Sequence, residues 1–354
     1  MLKDKKKRII FFRCTCVAVL FVLLFYASGK VFTPYYKMDT NQNKTFYRTE
    51  KNSVDVLIVG SSTLLVGLSP LELWKNYGIV AHTRASTVQA PVVTWFNVKE
   101  AYKYQKPKVV VMGITSLFNN YDYDINEPYI RRGMDFKKLS LDKLKAISEI
   151  IKRSDSQHIL DYVFPILRYH DRWKDLQLAD IQNLRYKRDF MRGQYPVYKS
   201  KPIESRAVVD ESVPSEKADP DSWAFYKKAI DYCTEQGSEV IVVNMPDDRW
   251  NYGRYQTAKD LLEKSGVEYI DFNLEESLEM LNLDWNKDFY DSHHLNPVGA
   301  QKTTAYLGNY LIKNHPEVPV NQCSDSSGKL LDEDVKQYHT LLHNFEEKIN
   351  SSEK

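Results

Sequence analysis

At 354 residues the chain can hold one large domain or two small ones, and a content of 43% hydrophobic and 27% charged residues excludes a disordered chain. A formal net charge of +2 gives no electrostatic basis for nucleic-acid binding. Much of that excess is local, because Lys3, Lys5, Lys6, Lys7 and Arg8 face only Asp4 at the N-terminus.

Residues 1–8 are this basic segment, and residues 9–28 are almost wholly apolar, broken by Arg13. The run is near the roughly 20 residues that a membrane-spanning helix needs, and Arg13 lies close enough to its end to snorkel to the headgroups. The basic flank predicts a single-pass protein of the cell membrane, with its N-terminus inside and everything after Lys30 outside. A cleaved secretory signal is the alternative, since "YASGK" offers small residues, although the apolar run is long for one. Cys14 and Cys16 fall within this run, whereas Cys233 and Cys323 lie beyond it and could pair if close. Their spacing matches no metal motif; neither a metal nor a cofactor is expected.

Residues 29–53 read as a polar, aromatic-dotted stalk that lifts the domain off the bilayer. An alternating pattern of strands and helices then fills 54–316. "VDVLIV" (54–59) is a β-branched strand ending at Gly60. "SPLELW" opens a helix, with Ser69 as N-cap, Pro70 in the first turn and Glu72 completing a capping box. Strands follow at 78–83 and 107–114, with a helix over 94–105 between them. After 220 come a helix ending at Gly237, the strand "SEVIVVNM", the helix "YQTAKDLLEKSG", the strand "VEYIDF" and a last helix over 296–314. Apolar strands alternating with helices indicate a parallel sheet covered on both faces. The interval 136–220 is helical and aromatic, then polar; it reads as an insertion that caps one edge of the sheet. Residues 317–354 form a charged tail with a helix in it.

In doubly wound sheets, ligands sit outside the carboxyl ends of the strands. Gly60-Ser61-Ser62 lies at the carboxyl end of the first strand. Taken alone, it is either an exposed nucleophile or a glycine turn whose serines cap the next element. Near the other end, "DFYDSHHLNPVGAQ" sets Asp291 three residues before His294, on the loop leading into the last helix. That spacing lets the carboxylate hold one imidazole N–H and leaves the other nitrogen free as a base. His293 is the rival, but lacks an Asp three residues before it.

Together the two segments resemble the SGNH/GDSL hydrolase superfamily, in which Gly-x-Ser follows the first strand and Asp-x-x-His precedes the last helix. The resemblance covers about residues 54–315. It implies a flavodoxin-like three-layer α/β sandwich with Ser62 as nucleophile, His294 as general base and Asp291 as its orienting partner. Three positions depart from the family pattern. Ser61 stands where Asp is common. Ala85-Ser86 stands where a glycine N–H helps form the oxyanion hole. Thr115 of "GITS" replaces an Asn donor, a loss of about 3 kcal/mol of transition-state stabilisation. Gly60, Ser86 and Thr115 are therefore the oxyanion or substrate candidates.

The anchor and "DSHHLNPVGA" further resemble an exported branch of that superfamily whose members work with membrane-bound O-acyltransferases in D-alanylating teichoic acid or acetylating exopolysaccharide. This implies a membrane-bound O-acyltransferase as partner and an envelope polysaccharide or teichoic-acid-like acceptor. The alternative is a degenerate subunit that only binds the polymer. His170, Arg172 and Trp173 would line a polymer cleft or hold a cap through one helix face. Asp247, Asp248 and Arg249 would bind substrate or solvate a loop.

Overall fold

The computed structural model describes residues 2–204, 211–318 and 323–351. Helix α1 (Leu2–Phe32) carries the stretch Lys5–Phe32, long and apolar enough to span a membrane, and its most apolar window is nowhere buried. Helix α2 (Lys37–Phe46) follows, then β1 (Val56–Gly60), α3 (Ser62–Gly67), α4 (Pro70–Tyr77), β2 (Ala81–Ala85), α5 (Pro91–Ala101) and β3 (Val109–Met112). Between β3 and the next strand lie α6 (Glu127–Met134), α7 (Leu141–Ile151), α8 (Ile159–Val163), α9 (Ile166–Tyr169), two 3₁₀ segments (170–174 and 178–184) and α10 (Pro220–Glu235). The chain continues through β4 (Glu239–Asn244), α11 (Tyr252–Glu263), β5 (Glu268–Asp271), α12 (Glu275–Leu281), β6 (Phe289–Asp291), β7 (His294–Leu295), α13 (Pro297–Asn314) and α14 (Asp325–Ser351).

The five long strands form one parallel sheet in the order β2-β1-β3-β4-β5, the flavodoxin-like order. Alternate strand residues feed two cores, as a pleated strand requires. Val56, Ile58, Val109, Val111, Ile241 and Val243 pack under α4, α12 and α13. Their neighbours Leu57, Val59, Val110, Met112 and Val242 pack under α5, α10 and α11. The chain is therefore the expected three-layer α/β sandwich.

Several boundaries differ from expectation for local reasons. The second strand begins at Ala81 rather than residue 78, because Gly78 (φ 66°) caps α4 in the left-handed conformation that favours glycine. Helix α5 begins at Pro91, which suits a first-turn position. The segment 29–53 is no stalk. Asp39, Thr40, Asn41, Gln42, Asn43 and Phe46 of α2 are buried in the domain, and Gln42 donates to the carbonyls of Thr83 (2.9 Å) and Gly193 (3.2 Å). Part of the insertion covers the free edge of β2: Thr83 N–H donates to Arg192 O (2.9 Å), and Arg192 Nε donates to Ala81 O (3.1 Å). Helix α14 docks by Leu331, Tyr338, Leu342 and Phe345, all buried. All four cysteines are free, and Cys233 and Cys323 belong to different apolar clusters.

Candidate active site

The serine stands where the sheet ends. Gly60 closes β1 so tightly against β3 that a Cβ there would lie 3.2 Å from Gly113 N and 3.4 Å from Leu64. Only glycine lets the chain turn at this point. Ser61 then precedes α3 and Ser62 starts it. The far end of α3 is tied to α13, with Thr303 donating to Gly67 O (2.6 Å) and Ser69 N–H donating to Thr304 (2.9 Å).

The histidine comes from the same anchor. β6 and β7 form a short antiparallel hairpin that pairs Asp291 with His294, where the sequence reading placed a plain loop. Asn296 follows as the N-cap of α13, accepting from Val298 N–H (3.0 Å) and Gly299 N–H (3.3 Å), and its amide donates to Lys199 O (3.2 Å). A Cβ at Gly299 would meet Asp288 O at 2.5 Å, so the hairpin lies directly on the helix start. The nucleophile candidate and the base candidate thus share α13 as their support.

These two elements bring the three residues into line. His294 Nε2 lies 2.8 Å from Ser62 Oγ, and His294 Nδ1 lies 3.0 and 2.9 Å from the two Asp291 oxygens. Asp291 also accepts from His293 N–H at 3.0 Å. The Tyr290 ring stacks on His294, 5.2 Å between centroids and 2° from parallel, fixing the plane of the imidazole. His293 borders the pair without bonding to Ser62: its Nδ1 sits 3.1 Å from Ser292 Oγ, 3.7 Å from Asp248 and 3.8 Å from Asp291, and its ring centroid lies 4.2 Å from that of His294.

Burial pushes the His294 pKa below its ordinary 6.5, with Asp291 pulling the other way. Burial raises the Asp291 carboxyl, but the His293 N–H and the His294 ring outweigh it and hold it below its usual value. The imidazole is then neutral at pH 7 and the carboxylate charged, the states a serine–histidine pair needs. Protonating His294 removes the base, so the reaction rate of Ser62 should fall on the acid side with a midpoint below 6.5. Stopped-flow labelling across pH 4–8 tests this; a midpoint above 7 would contradict the assignment.

The other candidates fall into different roles. Thr115 Oγ1 lies 3.0 Å from Thr63 Oγ1, beside the serine turn. The Ser86 hydroxyl is buried and donates to Gln89 Oε1 (3.0 Å), a bond that leaves its backbone N–H, the oxyanion candidate, unaffected. Gly60 acts through close packing. Arg172 holds the exit of α1, bonding to Phe32 O and to Asp180 (3.0 Å), while Trp173 is exposed. The loop 247–249 is more than solvated. Asn273 fixes it by accepting from Asp247 N–H (2.8 Å), and it brings Asp248 to His293 and Arg249 into the field of Asp291.

Sequence reasoning missed Gln89 and Tyr290. Gln89 accepts from Ser86 and from Asn97 (3.1 Å), its amide donates to Thr94 (2.8 Å), and its N–H donates to Ser61 Oγ (3.3 Å). The preceding Val88 has φ 48°, a strained conformation for a β-branched residue. Its carbonyl accepts from the Tyr121 hydroxyl at 2.7 Å. Donor atoms of Asp291, His293 and His294 lie within 4.8 Å of one another. Both His294 nitrogens are already engaged, however, so a metal there would have to break the serine or the aspartate link.

No protein-family model matches the chain, and no curated protein does. A solved structure of a candidate acylhydrolase from Bacteroides fragilis aligns with 79% of this chain and 99% of its own, at 10% identity and a TM-score of 0.35. So distant a likeness carries no activity across. The site stands on its own chemistry.

Proposed function

We propose that the protein is a membrane-anchored serine esterase or O-acyltransferase of SGNH type, with Ser62 as nucleophile, His294 as general base and Asp291 as its orienting partner. The observation that carries this reading is the unbroken Ser62–His294–Asp291 chain of hydrogen bonds. His294 takes the Ser62 proton as Oγ attacks an ester carbonyl; collapse expels the donor alcohol, which receives that proton, and leaves an acyl-serine. Water or an acceptor hydroxyl then attacks, assisted by the same imidazole. The first N–H groups of α3 have no acceptor inside the helix and are suited to the developing oxyanion.

The acceptor and partner rest on the sequence resemblance: an envelope polysaccharide or teichoic-acid-like polymer outside the cell, charged by a membrane-bound O-acyltransferase. In support, a cavity of about 850 Å³ is lined by Tyr35, Tyr36, Tyr195 and Tyr198, rings of the kind on which sugars stack. Thr115 favours a second reading, a polymer-binding subunit without turnover, because its hydroxyl is turned to Thr63 rather than supplying an amide donor.

The two readings separate in one experiment. Incubating the full chain with p-nitrophenyl acetate should release a burst of nitrophenol and leave one acetyl group on Ser62, found by mass spectrometry of the digested protein. Adding oligosaccharide should then yield acetylated sugar in competition with free acetate. A folded protein that shows neither burst nor acetyl-Ser62 would favour the binding subunit.

A further inference from the structure

A second cavity, of about 400 Å³, opens where α1 leaves its apolar stretch. That volume is within the range of small-ligand sites. One wall is the last turns of α1, the other is α8, α9 and the segment 135–143. The two walls meet at Gly29, where a Cβ would lie in ordinary contact with Ile166 N at 3.5 Å.

The lining combines two chemistries. Phe25 of α1 faces Phe164, with Val163 and Ile166 beside them, and the Phe25 and Phe164 rings lie 5.6 Å apart. Lys30 of α1, Lys44, Lys137, Lys138 and Lys143 also line it. Lys44 is already committed to the carbonyls of Gln182 (3.2 Å) and Asn183 (2.8 Å). Lys138 lies over the Tyr47 ring at 4.4 Å. The single acid in the lining, Asp135, is claimed by Arg131 (3.0 Å) and by the Tyr169 hydroxyl (2.8 Å).

Lys137 and Lys143 are both buried, and among the described residues neither forms an ion pair. Burial pushes Lys143 down to about 8 and Lys137 well below its usual value. Glu100, Asp39 and Asp135 act on this pair only through space, and an anion in the cavity would further favour the charged forms of both lysines. Around the rim, Leu139, Leu141, Leu160, Trp173 and Leu178 are all more than half exposed. Exposed apolar side chains with a tryptophan beside a spanning helix suit the headgroup layer of a bilayer.

We propose that this cavity takes the phosphate headgroup of an anionic glycerophospholipid from the adjoining leaflet, with the acyl chains running down the Phe25–Phe164 wall. The lipid would fix the tilt of the domain on the membrane and hence the height of the serine site above it. The inference rests on α1 spanning the membrane and is independent of the acyl-transfer chemistry.

Native mass spectrometry of the full chain in detergent, titrated with phosphatidylglycerol or phosphatidylcholine of matched acyl chains, tests it. Phosphatidylglycerol should bind at concentrations roughly tenfold lower, because lysines near an anionic headgroup favour it. The surface variant Lys30→Gln/Lys138→Gln and the buried variant Lys137→Gln should each lose that preference, with thermal unfolding confirming that they fold. Equal retention of the two lipids, or an unchanged preference in the surface variant, would overturn the proposal. So would displacement of phosphatidylglycerol by soluble glycerol phosphate at matching concentrations, which would mark a site for the free anion. Release of the chain from vesicles at alkaline pH would overturn the membrane span and the lipid site together, leaving the serine site untouched.

Discussion

Ser62→Ala and His294→Ala are each expected to abolish fluorophosphonate labelling of the purified chain, whereas Asp291→Asn should leave a slow residue of it. The probe phosphonylates only a serine whose proton is being removed. Each of the first two substitutions deletes one end of the 2.8 Å Ser62–His294 contact, so each alone should cost as much as both together, on the order of 10⁵- to 10⁶-fold in rate. Asp291→Asn keeps the hairpin and its shape but loses the charge that holds His294 Nδ1–H, a change worth on the order of 10⁴-fold in comparable triads. His293→Ala serves as the contrast. Its ring touches His294 but bonds to Ser292, and its link to Asp291 is the backbone N–H, which alanine keeps, so its removal should leave most of the labelling in place. If His293→Ala matched His294→Ala, the assignment of the base would be wrong. If the folded wild type took up no label at all, the binding-subunit reading would gain.

The residues of this site were legible because each sits beside a strong local signal. Gly60 punctuates a β-branched strand, and Asn296-Pro297 announces a helix start, so Ser62 and His294 could be located from their neighbours. The sheet was legible for the same reason, since fully apolar runs bounded by turn residues have few other uses. What escaped was polar burial. Asp39, Asn41, Gln42 and Asn43 read as a solvated stalk, because nothing local tells that Gln42 will meet carbonyls 41 and 151 residues away. Gln89 was invisible on the same ground, as its partners belong to the loops after three different strands or to α5. Tyr290 could have been found: it directly precedes Asp291, and a two-residue connection between Asp291 and His294 sets both it and His294 on one small hairpin. The charged tail hid its apolar face in the helical spacing of Leu331, Tyr338, Leu342 and Phe345, a pattern the charge count outweighed.

Arg84→Met is expected to be the most destabilising single change outside the apolar cores. Arg84 lies in β2 and is 2% exposed; it pairs with Glu100 of α5 and stacks on the Phe46 ring of α2, 4.1 Å from its centroid. The Tyr47 hydroxyl donates to the other Glu100 oxygen at 2.6 Å. One buried ion pair thus joins the edge strand, the helix beneath it and the segment that links the domain to α1. Removing the guanidinium leaves Glu100 buried without its counterion, a loss of about 3–5 kcal/mol. Glu100→Gln should cost less, because the amide can still accept from Tyr47, but it strands Arg84 beside the already crowded positive charge of Lys137. The double variant Arg84→Met/Glu100→Leu should recover most of the loss, since the expense lies in the orphaned charge rather than in the absent pair. Burial raises the Glu100 carboxyl, but Arg84 and Lys137 outweigh it and hold it below its ordinary 4.5. Its contribution is therefore present above pH 4.5 and is lost as pH falls through the lower folded value, so the gap between wild type and Glu100→Gln should narrow in acid. Denaturant unfolding of the full chain in detergent at pH 7 and pH 4 measures both effects. A double variant as unstable as the sum of the singles would show that Arg84 and Glu100 are energetically uncoupled, and that their pairing does not hold α2 to the sheet.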